Sequence, residues 1–165
     1  MLNLIDKTLQ LRPILKKDMS FLKKVYSSTR TEEMNQVSFW TDEMKDAFLT
    51  HQFDAQHEHY QKNYLSARFW VLEKKGIGIG RLYYDELFKG SIRIVDITLL
   101  PEFRNKGVGQ IILKSILDRG KTIEKNVTIH VESFNPAMNL YHKLGFKKIS
   151  ETNGVYHLLE WNYKN

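Results

Sequence analysis

At 165 residues, 42% of them hydrophobic and 27% charged, the chain is long enough to bury a core of its own and too apolar for a disordered tail. It has no cysteine, which excludes disulfides, thiolate metal sites and a Cys nucleophile. No apolar run nears the roughly 18–20 residues that span a bilayer and no leader-like pattern opens the chain, so no membrane partner is expected and a cytoplasmic location is the default. The net charge of +6 admits an anionic partner, but the basic residues fall in scattered pairs such as Lys16-Lys17 and Lys147-Lys148. That scatter argues for a solvated basic surface and against a nucleic-acid arm.

In chain order, Leu9–Ile14 alternates apolar and polar residues up to Pro13, the pattern of a short edge strand. Asp18 is placed to N-cap a helix whose apolar face carries Met19, Phe21, Leu22, Val25 and Tyr26. The segment 30–64 is aromatic and free of Gly and Pro, which predicts two helices. Thr41-Asp42-Glu43 opens the second, with Met44, Phe48, Leu49, Phe53 and Tyr60 as its buried stripe. From residue 66 the period changes to two. Ala67–Glu73, Gly78–Asp85 and Ser91–Leu100 read as an antiparallel meander, turned at Lys74-Lys75-Gly76 and Phe88-Lys89-Gly90. A helix over 107–119, a strand Val127–Glu132, a helix from Pro136 to His142, and a hairpin of Lys147–Ser150 with Val155–Trp161 follow. This order predicts one α/β (mixed α+β) domain over 1–165, a central, mostly antiparallel sheet flanked by helices.

The stretch Ile94–Leu113 carries the chemistry. A hydrophobic strand stops at Pro101, a basic glycine loop follows, and a helix begins directly. Val108, Ile112 and Ile116 with Leu113 and Leu117 form its apolar face, and Lys114, Asp118 and Arg119 the polar one. A helix start leaves main-chain N–H groups unpaired and adds the positive end of its dipole. Gly107 and Gly109 let a phosphate oxygen approach the backbone, and Arg104 and Lys106 add charge, so the loop reads as a pyrophosphate cradle. It is neither a Rossmann loop, which needs Gly where Ile112 stands, nor a Walker loop, which needs Lys after Gly107.

Arg104-Asn105-Lys106-Gly107-Val108-Gly109 and, some thirty residues on, Asn135…Ala137…Leu140-Tyr141…Leu144-Gly145-Phe146 together resemble the GNAT family of N-acetyltransferases. The resemblance covers residues 67–161 and, more loosely, 9–30. It implies a GNAT-like fold splayed between the strand ending near Leu100 and the strand Val127–Glu132. It also implies an acyl-CoA-binding core at 91–146 and a helical acceptor-side segment at 31–66. Acetyl-CoA would be the acyl donor and a primary amine the acceptor: a small molecule, a peptide N-terminus or a lysine. In such proteins the splayed strand pairs with the pantetheine arm, and Ile97, Thr98 and Leu99 occupy those positions here. Arg104, Asn105, Lys106, Gly107, Val108, Gly109 and Gln110 would hold the pyrophosphate. Asn135 matches the residue that contacts the coenzyme arm, although it precedes Tyr141 by six residues where seven is commoner. Tyr141 matches the tyrosine near the thioester sulfur.

The reaction so implied is direct transfer in a ternary complex, in keeping with a chain that has no Cys. An alkylamine is roughly a thousandfold protonated at pH 7, so a base or a desolvating site must expose its lone pair. Where family members carry a basic Glu or His, this chain has Arg93 and Val95. The remaining base candidates are His130, Glu132 and Asp96, with His130 or a water relay first and Asp96 read as stabilising the bend. Tyr141 would hand a proton to the departing thiolate. No metal site is expected: His57 and His59 point roughly 200° apart on a helix. Two other classes remain open, a non-catalytic acyl-CoA-binding sensor and, less favoured, a nucleic-acid-binding protein. Monomer and homodimer are both compatible with the sequence.

Overall fold

The computed structural model describes residues 2–165. Seven strands form one sheet in the order β1-β2-β3-β4-β5-β7-β6. They are β1 (Leu9–Pro13), β2 (Arg68–Lys74), β3 (Ile77–Phe88), β4 (Ser91–Leu99), β5 (Val127–Glu132), β6 (Lys147–Thr152) and β7 (Tyr156–Trp161). All neighbours are antiparallel except β4 and β5, which run parallel. Helices α1 (Met19–Ser27), α2 (Thr31–Gln36) and α3 (Asp42–Asn63) lie between β1 and β2 in sequence, α4 (Val108–Thr122) between β4 and β5, and α5 (Met138–Lys143) between β5 and β6. No helix among the described residues is long and apolar enough to cross a membrane.

Successive strand residues face opposite sides of a sheet, so Val71 and Leu72 are both buried in different cores. On one side, Leu72, Leu82, Ile92, Ile94 and Ile129 pack with Val108, Ile112, Leu113, Ile116 and Leu117 of α4 and with Tyr141 of α5. On the other, Val71 packs with Leu22, Tyr26 and Phe53 from α1 and α3. The spacing-four stripe of α4 is thus its buried face, as its periodicity predicts.

Three expectations need correction. Asp18 precedes α1 but does not cap it. Its carboxylate accepts from the Leu15 N–H at 2.7 Å and from the Arg12 guanidinium at 2.9 and 3.0 Å, while Arg12 also reaches Glu73 at 2.8 Å, so it fastens α1 to β1 and β2. The expected stripe of α3 is buried only at Phe53, with Met44 and Phe48 exposed. A helix of 22 residues is about 33 Å long; it meets α1 through Asp46, Leu49 and Phe53 and the sheet through Phe53, Gln56 and Tyr60. Finally, α4 continues to Thr122 and the terminal hairpin strands extend to Thr152 and begin at Tyr156.

Two local features open the sheet at its centre. Tyr83 lies opposite Asp96 and Tyr84 opposite Ile94, which leaves Val95 as the extra residue of a β-bulge in β4. The parallel pairing of β4 with β5 covers Ile92↔Val127, Arg93↔Thr128 and Ile94↔Ile129 and then stops. Beyond the bulge the two strands diverge, at the place the resemblance implies.

Candidate active site

The bulge is held by a buried polar cluster. Arg81 on β3, 2% exposed, donates through Nε and Nη2 to both carboxylate oxygens of Asp96 at 3.0 and 2.8 Å, and through Nη2 to Gln56 of α3 at 2.7 Å. Thr98 Oγ1 and the Tyr60 hydroxyl donate to the same carboxylate at 2.9 and 3.3 Å. With its oxygens occupied by four donors, Asp96 has no lone pair to spare for a substrate. That takes it out of the base candidates and agrees with its placement at the bend. A buried charge of this kind is tolerated because each partner answers the other.

Divergence exposes one edge of β4. The Leu100 N–H donates to the Ile79 carbonyl across β3, so by the alternation of an antiparallel ladder the main-chain groups of Leu99 and Ile97 point the other way, into the opening. Those of Thr98 turn back to β3, opposite Arg81. Of the three residues expected at this edge, Ile97 offers its main-chain groups and Leu99 its N–H, the Leu99 carbonyl being held by Arg104, and Thr98 serves through its hydroxyl on Asp96.

After β4 a 3-10 turn at Pro101–Phe103 leads into the glycine loop. Asn105 and Gly107 both have positive φ, 56° and 79°, the left-handed conformation that lets consecutive N–H groups converge. Gly107 is the N-cap of α4, and among the described residues no side chain caps the helix. The first helical bond runs from Ile111 N–H to the Gly107 carbonyl, and the N–H groups of Asn105, Lys106, Gly107, Val108, Gly109 and Gln110 meet no acceptor among the described residues. These free amides, with the dipole of a 15-residue helix behind them, fit a diphosphate. Gly109 lies beside the Leu99 side chain at the end of β4, where a Cβ would make an ordinary contact at 4.0 Å.

Arg104 departs from expectation. Its N–H is taken by the Pro101 carbonyl, and its guanidinium donates to the Leu99 carbonyl at 2.8 Å and to Ser28 Oγ at 2.8 Å. The side chain clamps the end of α1 to the end of β4, and burial lowers its pKa. Lys106 remains exposed on the loop.

Between the diverging strands lies a cavity of about 300 Å³, lined by Val95–Thr98 of β4, Ile129–Glu132 of β5, Asn135, Tyr141 and Tyr156, and across from them Tyr26, Thr29, Arg30, Gln56, Tyr60 and Arg81. Tyr141 is 3% exposed, its ring set edge-on to Phe146 at 5.7 Å, and its hydroxyl has no hydrogen-bond partner among the described residues. Burial raises its pKa, with the charge of Asp96 adding to the effect, so the hydroxyl stays protonated through the neutral and alkaline range. His130 faces the cavity from β5. Partial burial lowers its pKa and the charge of Arg93 lowers it further, which keeps the imidazole neutral at pH 7. Glu132 stands 3.9 Å from Arg30. Asn135 Oδ1 accepts from the Ala137 N–H at 2.8 Å and shapes the turn into α5. The cavity thus brings together His130, Glu132, Asn135 and Tyr141 beside the open edge of β4.

Gly80, which the sequence reading passed over, makes this geometry possible. A Cβ there would overlap the Thr98 carbonyl oxygen and lie 3.0 Å from Leu99 Cα. Glycine inside a strand pattern signals such a close backbone approach. Gly80→Ala is expected to push β4 off β3 and lower stability by about 1–3 kcal/mol, read as a fall in melting temperature. Gly76→Ala is the control, because nothing lies within 4 Å of its added Cβ and only its positive φ is strained.

A family model described as "Acetyltransferase (GNAT) domain" matches residues 66–148, half of the chain. The Bacillus subtilis (strain 168) protein named "Uncharacterized N-acetyltransferase CgeE" is 33% identical over 86 residues, which is 52% of this chain and 33% of that protein. The "UPF0157 protein YqkA" of the same organism is 28% identical over 92 residues, 56% of this chain and 26% of that protein. The matches therefore span a third or less of these relatives' length. Among solved structures, the PaiA N-acetyltransferase of Thermoplasma acidophilum in complex with coenzyme A superposes with a TM-score of 0.67 at 18% identity, over 94% of this chain and 99% of that one. A spermidine N-acetyltransferase SpeG from Vibrio cholerae superposes with a TM-score of 0.64 at 22% identity, over 96% of each chain. At these identities the likeness is one of fold.

Proposed function

This chain belongs to the acetyltransferase (GNAT) family, and we propose that it moves an acetyl group from acetyl-CoA directly onto a primary amine, with both substrates bound together. What supports this reading is the run of amides at 105–110 with no acceptor among the described residues, standing next to the part of the β4 edge that β5 leaves unpaired beyond Ile94.

Acetyl-CoA supplies the activated acetyl thioester; every other task falls to the chain. The amides of residues 105–110 hold the diphosphate, Lys106 screens its charge, and Ile97 and Leu99 pair with the pantetheine arm as an added strand would. Asn135 borders the same arm. The Leu99 N–H polarises the thioester carbonyl as charge builds on its oxygen. His130, neutral at pH 7, draws the proton from the incoming amine, directly or through water, with Glu132 beside it. Tyr141 gives its proton to the departing sulfur. Residues 31–66 form the acceptor side of the site.

The reading is tested by thiol release from acetyl-CoA across a broad panel of primary amines, where amine-dependent release is expected. Tight coenzyme binding with no amine-stimulated release would favour a non-catalytic acyl-CoA-binding module instead. The pH profile tests His130 separately. A base whose pKa is lowered loses function only as pH falls below the ordinary histidine value of about 6.5. Turnover should therefore hold constant from pH 7 down to that range and then drop, and His130→Gln should remove this acid limb along with a large part of the rate. A profile unchanged by His130→Gln takes the role from His130 and leaves the proton to water or Glu132.

A further inference from the structure

We propose that the acceptor is an amine that also carries a carboxylate, with the amine and the carboxylate on the same or neighbouring carbons, and that the Nε–Nη2 edge of Arg30 grips that carboxylate. The inference rests on the acetyltransferase reading and names the substrate class of that same site.

Arg30 follows α1 and lines the cavity from the side opposite β5. Its guanidinium lies over the Tyr26 ring, 5.4 Å from the centroid, which fixes its plane. Every ionic contact it makes uses Nη1: to Glu33 at 2.8 Å, a side chain 55% exposed, and to Glu132 at 3.9 Å. Nε is buried with no partner, and Nη2 makes no hydrogen bond among the described residues. This edge is the one that arginine presents to a carboxylate as a two-pronged fork. The molecule uses it so twice already: Arg81 holds Asp96 through Nε and Nη2 at 3.0 and 2.8 Å, and Arg119 holds Glu86 through the same pair at 2.9 and 2.9 Å. In Arg30 the same fork has no carboxylate.

The remaining charges of the cavity narrow the choice. Arg81 has its Nε and Nη2 on Asp96 and Gln56, so among the described residues lining the cavity Arg30 is the only arginine or lysine whose Nε–Nη2 fork is open. Asp96 is likewise spent, and among the described residues Glu132, beside Arg30, is the only other carboxylate on the wall. A polycation would find a single carboxylate already facing an arginine. A small zwitterion instead sets its carboxylate on the Arg30 fork and its ammonium toward Glu132 and His130, next to the open edge of β4. The cavity volume of about 300 Å³ takes an acetyl group and a small amino acid together.

The test is a set of matched acceptors assayed on the whole protein: amino acids, the amines left by their decarboxylation, their carboxamides, and spermidine. The amino acid is expected to exceed its decarboxylated partner in kcat/KM on the order of tenfold to a hundredfold, the range for a hydrogen-bonded charge pair. Arg30→Met should collapse that ratio toward one through KM for the acceptor, and Arg30→Lys should restore part of it. Circular dichroism and calorimetric acetyl-CoA binding verify that each variant is folded; if Arg30→Met is not, the ratio measured on the unaltered protein decides alone. Better turnover of the decarboxylated amines or of spermidine overturns the inference and leaves the acetyltransferase reading standing. An equal loss on both acceptor classes in a folded Arg30→Met does the same. If coenzyme binds and no amine of any kind is acetylated, both fall together.

Discussion

Gly107→Glu is expected to weaken coenzyme A binding at least about a hundredfold, roughly 3 kcal/mol. Two effects combine. Gly107 sits at φ 79° with open space around its Cα, so any L side chain there costs about 1 kcal/mol of backbone strain. Glutamate also sets a negative charge among the amides that would face the diphosphate, where like charges repel in a partly desolvated site. Gly107→Ala separates the two, since it carries the strain without the charge and should lose only the smaller part. Calorimetric titration of both variants with coenzyme A reads the difference. Equal, small losses in the two variants would remove the diphosphate from this loop.

Tyr141→Phe should slow acetyl transfer on the order of a hundredfold to a thousandfold, the span for a positioned proton donor. Coenzyme affinity should remain close to that of the unaltered protein, because phenylalanine keeps the edge-on packing against Phe146 and the lost hydroxyl has no partner among the described residues. Its raised pKa adds a second mark: the unaltered protein should show no alkaline loss of turnover that belongs to this residue up to pH about 10. Steady-state rates with saturating amine, set beside coenzyme binding constants, separate a chemical role from a structural one. Full activity in Tyr141→Phe would reduce the residue to core packing.

Much of this site is legible in the linear sequence because its key elements are local. The cradle is a run of neighbours, Arg104 to Gln110, whose glycines and following apolar stripe announce a helix start. The splay enters only through the family resemblance, because the bulge at Val95 and the point where the β4–β5 ladder stops depend on the facing strands. Features that depend on distant partners are not legible. Arg104 reads as phosphate-binding charge, yet its guanidinium binds Ser28, 76 positions away, and nothing near either residue announces the pairing. Asp18 has the residue type and place of a helix cap, but Arg12 and the Leu15 N–H outcompete the helix for it. The aromatic spacing of α3 is helical as expected, while which of those residues is buried depends on how far the sheet extends beneath a helix of 22 residues. Gly80 offered a signal, glycine alternating through a strand, that only the facing backbone of β4 makes meaningful.

The account depends most on the amides of residues 105–110 receiving the diphosphate, and an amide-resolved nuclear magnetic resonance titration tests this directly. With uniformly ¹⁵N-labelled protein, coenzyme A should shift the Asn105, Lys106, Gly107, Val108, Gly109 and Gln110 resonances downfield as their N–H groups acquire acceptors. Pantetheine, which lacks the diphosphate, should shift Ile97 and Leu99 and leave the loop in place. Saturating coenzyme A that moves other resonances and leaves 105–110 unmoved would contradict the account.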